Sequence, residues 1–450
     1  MFIDHTNLRK TLRALDKNRV LEIFCNRNVS STCSLFVFTQ ILKSELFKYQ
    51  IEFKEMEKDI NFIFKIEDKE FILRNGDDNC TCHRKDTSGI IQLYKTVKSM
   101  DFIKIETLWP IAVCFAHYKT FLNEKRYQKF IYEDKNKLKD SKSSDDFSNK
   151  SNLKDIPMKR LNNYDDPLLN NDEIIKDEFC SVCQLLKDEI FYSIRMLNGK
   201  TEGLLIQKKN RLDFLSGSTL FRAIKNDLNF IHQKKLFYNK NGNVDRKIGE
   251  YLAKYGVSIN SANSPYYTLD SVTKKHCNTI FGEEEKFVYK NGHDIEITAI
   301  EHSFLILFYL YKENDMFAYL CLEKRKLIDV EKVCKFYEKI VIIFKETILS
   351  ASKAGNLGIF KVKSQGFTIS QLSVLSYLLY QFIKIYLLYR EETHLKICIS
   401  YDFDESNQLL YSEDLDFTFL KEFKTDVNEN LIKIEKKNFV EIIRDLAVNL

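Results

Sequence analysis

The chain has 450 residues, 44% hydrophobic and 13% aromatic, enough to bury a sizeable core in two or three domains, which excludes wholesale disorder. Its 69 basic and 64 acidic side chains leave a net charge of +5, close to balance for this size, so charge neither demands nor excludes a nucleic-acid partner. Only 13 glycines and 4 prolines argue against a turn-rich sandwich or barrel and for long helices.

The N-terminus, MFIDHTNLRK, carries no apolar signal segment, and the 11 cysteines are scattered. Reduced intracellular thiols are expected, not a disulfide framework. Residues 19–42 then read as a buried strand from Val20 to Cys25, a polar loop over 26–31 and a helix. In α/β folds this junction is where catalytic carboxylates or phosphate-binding glycines stand. Here the loop Asn26-Arg27-Asn28-Val29-Ser30-Ser31 has no Asp, Glu or Gly. Strand-like runs follow at 51–56, 61–66 and 70–75, then the turn-rich GDDNCTCHRK and apolar material through Trp109 and Phe115. This predicts an α/β unit over 1–132.

From Glu133 to Glu173 the chain turns charged, Ser/Asn-rich and nearly free of aromatics, which predicts a flexible linker. A helical period dominates from Phe179 to about Ser350, and it divides into a connector over 174–235 and an all-helical insertion over 236–345. Within it, 246–259 reads as a helix stopped at Gly256, and 330–349 as a long helix with core periodicity. Strands return at 358–363, 396–403 and 430–436, with helices at 368–389 and 438–447, giving a C-terminal α/β unit over 346–450. The most apolar run, Val374–Tyr389, is interrupted by Gln381 and Lys384. It falls short of the ~18 uninterrupted apolar residues of a membrane span, so a buried or amphipathic helix and no membrane are expected.

Candidate chemistry is sparse. Cys80, Cys82 and His83 with Cys180 and Cys183 could supply tetrahedral zinc ligands, but the C-x-C-H half and the wide separation fit known spacings poorly, and small buried cysteines are common. His83-Arg84 follows a strand in the unit that holds the 26–31 loop, and could bind a phosphate or metal or form a solvated turn. His276, His293, His302 and His394 lack clustered carboxylates and read as structural or surface histidines. The run Glu283-Glu284-Glu285 reads as a solvated loop, and no P-loop, G-x-G-x-x-G, G-x-S-x-G or H-E-x-x-H occurs.

Against that background the opening stretch resembles the cell division control protein 45 family, which derives from RecJ-like DHH phosphoesterases. Their first motif is a strand, D-x-D and a helix, and the family keeps versions such as D-V-D-A-L-C-A. Asn28-Val29-Ser30-Ser31-Thr32-Cys33-Ser34 aligns with it without a gap, placing Asn28 and Ser30 at the aspartate positions. Thr81-Cys82-His83-Arg84 is similar to the D-T-H-R motif, with the Asp lost. Residues 71–76, 185–202, 246–259 with YYTLDSV, 294–313 and the C-terminal segments resemble further family segments in order. The resemblance covers most of 19–450 apart from the linker. The chain departs from the family in a shorter, mixed-charge insertion, in missing tryptophans and over 76–133.

The resemblance implies a catalytically degenerate DHH-like α/β domain, a central helical insertion and a smaller DHHA1-like α/β domain. It implies no cofactor and no metal, because two-metal phosphodiester cleavage needs several carboxylate or His ligands around ions about 4 Å apart. The implied function is that of a nuclear, non-catalytic scaffold of the replicative helicase, joining the MCM ring to GINS, with single-stranded DNA as a further partner. Ile295, Ile300, Phe304, Phe308 and Tyr311 are expected to bind the partner, with the 295–311 region and the 246–259 helix carrying or supporting that interface. Two rival readings remain at this stage. One is an active DHH-type nuclease drawing on carboxylates such as Asp77 or Asp78; the other is an unrelated interaction protein with a structural zinc.

Overall fold

The computed structural model describes residues 5–56, 60–66, 69–74, 89–121, 188, 203–215, 217–233, 244–291, 295–323, 329–363, 366–415, 417, 425–426 and 430–448. Helix α1 (His5–Arg13) leads into strand β1 (Val20–Cys25), where Leu21, Ile23 and Cys25 are buried and Val20 and Glu22 face out, the period of two of a half-buried strand. Helix α2 (Val29–Ser44) crosses to strand β2 (Lys48–Phe53), which lies parallel to β1 with Val20 opposite Lys48 and Cys25 opposite Phe53. Antiparallel β3 (Ile60–Ile66) and β4 (Lys69–Arg74) complete a sheet of order β2-β1-β3-β4. The expected 26–31 loop is shorter than predicted, because α2 already begins at Val29. Helices α3 (Gly89–Ser99) and α4 (Ile105–Phe121) cover this unit.

The middle of the chain corrects the expectation of an all-helical insertion. Strand β5 (Gly203–Asn210) precedes helices α5 (Leu220–Asn226), α6 (Leu228–Gln233), α7 (Val244–Lys254), α8 (Ile259–Asn263) and α9 (Ser271–Phe281). Then β6 (Glu283–Asn291) and β7 (Ile295–Thr298) pair with it as an antiparallel β5-β6-β7 sheet. Glu283-Glu284-Glu285 is therefore the start of a strand rather than a loop. Glu284 and Glu285 stand opposite Lys209 and Lys208, so opposite charges face across the ladder. Gly256 does end its helix, at a φ of 74° that only glycine adopts without cost.

Helices α10 (Ala299–Tyr311), α11 (Asp315–Glu323) and α12 (Val330–Leu349) follow. Every residue of α10 except Phe308 is buried, and Thr298 and Glu301 cap it reciprocally. The last unit comprises β8 (Ser352–Ala354), β9 (Leu357–Val362), α13 (Ile369–Tyr389), β10 (Lys396–Asp402), β11 (Asn407–Tyr411), β12 (Thr425–Asp426), β13 (Leu431–Glu435) and α14 (Phe439–Val448). The sheet order is β12-β13-β11-β10-β9-β8, with β9 and β10 parallel across α13. One sheet face packs into the main core through Phe360, Val362, Ile399 and Tyr401, and the other meets α14 through Ile359, Cys398, Ile432 and Ile434. By length and composition α13 could cross a membrane, yet Leu372, Leu375, Leu379, Ile383 and Leu387 are buried within the protein.

The main core runs from Leu8 to Leu431 and joins both α/β units through α2, α4, α10, α12 and α13. A second, smaller core gathers Leu220, Ile224, Ile248, Leu252, Cys277 and Phe281 from α5, α7 and α9.

Candidate functional site: the junction of the first strand and helix

The site is built by the turn between β1 and α2. Asn28 leaves the helix path at φ −143° and ψ 170°, and its side-chain Oδ1 accepts the Ser31 N–H at 2.7 Å, the usual geometry of an Asn N-cap. An aspartate there could cap equally well, so the fold has no need of a carboxylate at this position. Ser30, in the first turn, is buried beside Cys114, whose thiol is pushed up to about 12 chiefly by burial, with the Ser30 hydrogen bond acting in the opposite sense. Asn26 is also buried; its Oδ1 accepts the Arg27 N–H at 2.8 Å.

Arg27 decides the electrostatics. Its Nε donates to Asp315 Oδ1 at 3.0 Å, one terminal nitrogen reaches the same oxygen at 2.9 Å, and that nitrogen also donates to the Leu310 carbonyl at 3.1 Å. Its side chain is only 9% exposed and that of Asp315 24%, so the pair is largely withdrawn from water. Burial raises the Asp315 carboxyl above its ordinary value despite the lowering effect of Arg27. Glu55, beyond the end of β2, is also raised, first by loss of solvation, with Arg27 opposing and Asp315 adding to the shift. The turn thus presents an amide, a hydroxyl and a guanidinium already paired with Asp315, where hydrolytic chemistry would call for convergent anions.

Among the described residues no group of three His, Cys, Asp or Glu side chains is placed to hold a metal ion. Asp77, Asp78, Cys80, Thr81, Cys82, His83, Arg84, Cys180 and Cys183 lie outside the described residues, as do the linker and His293. The seven described cysteines, such as Cys25, Cys33 and Cys321, are all free and buried. Burial raises their thiols, which makes them poor nucleophiles. His302 is a core residue whose Nδ1 accepts the Trp109 indole N–H at 3.0 Å. His276 and His394 are exposed.

Three of the residues expected at a partner interface are enclosed within the chain. Ile300, Phe304 and Tyr311 are buried at 6%, 0% and 3% exposure, while Phe308 is partly buried against Phe336. Side chains so enclosed cannot meet another protein, so α10 can act there only as support; Ile295 stands in β7. The sequence reading missed Asp315, which lies 288 residues from Arg27 and has no local signal. It also missed His117, whose Nε2 lies 2.9 Å from the Tyr377 hydroxyl and whose Nδ1 lies 3.3 Å from Ser303 Oγ. A lone histidine inside the apolar run of α4 was the available clue.

No protein-family model matches this chain, and no curated protein matches it in sequence. Among solved structures, the crystal structure of CDC45 from Entamoeba histolytica matches with a TM-score of 0.66 at 11% sequence identity, covering 100% of this chain and 99% of that one. From end to end, this chain has a CDC45-like fold.

Proposed function

We propose that this protein is a non-catalytic cofactor of the replicative DNA helicase, a nuclear scaffold that joins the MCM ring to GINS during initiation and elongation. The observation that carries this reading is the likeness to CDC45 over 100% of the chain. The β1–α2 turn supports the non-catalytic part. A two-metal hydrolase needs hard anionic ligands around its ions, and this turn offers Asn28 and Ser30 beside the Arg27 guanidinium. The Asp315 carboxylate beside the turn is already held by Arg27. Single-stranded DNA is a further partner in this reading.

The test is co-precipitation of the full-length tagged protein from native extract, with MCM and GINS subunits expected together in the eluate. Absence of both, or a manganese-dependent nuclease activity of the pure protein that disappears in His83→Ala, overturns the proposal.

A further inference from the structure

A cavity of about 50 Å³ lies where the α5–α6 junction meets α12 and α13, away from the β1–α2 turn. By volume it has room for about two waters. Its wall carries three carboxylates, Asp213, Asp227 and Glu338, and the rings of Phe214, Tyr337 and Phe382, with no Lys, Arg or His among the lining residues. Such a wall is anionic and aromatic at once.

The charge is only partly balanced from within the protein, by Lys286 beside Asp213. Lys286 reaches Asp213 at 2.6 Å, but it also donates to the Arg211 and Leu212 carbonyls at 3.1 and 3.3 Å, so its three protons are occupied. Asp227 Oδ1 accepts the Phe230 N–H at 2.8 Å, and no donor among the described residues reaches its other oxygen. Glu338 has no ion pair among the described residues. Burial is the chief reason the Asp227 carboxyl is pushed up to about 6; the Phe230 N–H opposes this, Asp213 adds to it, and Lys286 and Arg211 oppose it. A carboxylate in that position gains most from a cation brought from outside.

The rings identify the kind of cation. Phe214 and Tyr337 stack at 4.1 Å between centroids, and Tyr337 meets Phe382 edge-on at 6.0 Å. Aromatic faces beside carboxylates favour an organic ammonium, through cation–π attraction and burial of its methylenes. A bare metal ion is disfavoured, because no three acidic, His or Cys groups converge among the described residues. We propose that this cavity is a binding site for the ammonium end of an alkylamine, with Asp227 and Glu338 as its counter-charges and the Phe214, Tyr337 and Phe382 rings as its walls. The ammonium could belong to a free amine or to the lysine of a partner segment; the chemistry recognised is the same.

The full-length protein is titrated by calorimetry and thermal shift with n-butylammonium chloride and with a short peptide carrying one lysine, each against sodium chloride at equal ionic strength. Saturable binding of butylammonium above the salt control is expected, weakened about tenfold or more by Glu338→Gln and by Asp227→Asn. Asn can still cap α6 at position 227, and Glu338→Gln keeps the test valid if that variant fails to fold. Binding of the amine alone assigns the site to free amines, and binding of both probes admits a lysine side chain. Shifts equal to those of sodium chloride, or equal affinities in wild type and both variants, overturn the proposal.

Discussion

Arg27 ties the end of the first strand to a helix almost three hundred residues away, and its removal leaves two different defects. Arg27→Ala strands the partly buried Asp315 carboxylate and unpairs the Leu310 carbonyl. Losing one partner of a partly buried pair costs about 2–3 kcal/mol, less than for a fully dry one. Chemical denaturation should therefore show that loss, and Arg27→Ala with Asp315→Asn should lose less than the two single changes combined, because the stranded charge is gone. Strict additivity would mean that the pair is not coupled in solution. A second residue-scale consequence concerns acid. Burial holds His117 and His302 down to about 3, against an ordinary 6.5. The unfolded chain takes up protons below 6.5 while the folded one does not, so stability is present above that pH and is lost as pH falls toward 3. At pH 5 each histidine should cost about 2 kcal/mol relative to pH 7. His117→Gln should remove its share of the difference between unfolding free energies at pH 7 and pH 5; an unchanged difference would place the titration elsewhere.

At the scale of elements, legibility followed the range over which each signal acts. Strand β1, a short and almost unbroken apolar run, and the helices over 330–349 and 369–389, with apolar residues at three- and four-residue steps, were readable because their pattern is local. Gly256 was readable because only glycine takes its φ cheaply. The β5-β6-β7 sheet was not readable, because what makes Glu283–Glu285 a strand is the pairing of Glu284 and Glu285 with Lys209 and Lys208, more than seventy residues earlier. A charged run in isolation looks solvated. The β1–α2 turn was legible as a junction without carboxylates, and its Asn28 proved to be the helix cap. Its charge was not legible, since the partner of Arg27 stands on α11. That Ile300, Phe304 and Tyr311 are enclosed was not legible for a related reason. An apolar stripe says that a helix face is covered, but not whether the cover is the same chain or another, and here the same chain covers Phe304 on every side.

Over the whole molecule the distribution of core sets the order of opening. The main core includes both α/β units, with α2 and α10 buried along nearly their full length at its centre. Neither α/β unit can shed those helices without exposing the other, so the amides of α2 and α10 should exchange only through global unfolding. The smaller core beneath α5, α7 and α9 is a separate cluster of few side chains, and α7 buries only Ile248, Gly249 and Leu252. Free energy of opening scales with the apolar surface exposed, so this unit should open at a lower cost than the centre. Hydrogen exchange followed by mass spectrometry at neutral pH should then show α7 and α9 exchanging faster than α2 and α10, with a weaker dependence on added denaturant because less surface is exposed. Equal protection and equal denaturant dependence in the two regions would mean that the small core is welded to the large one.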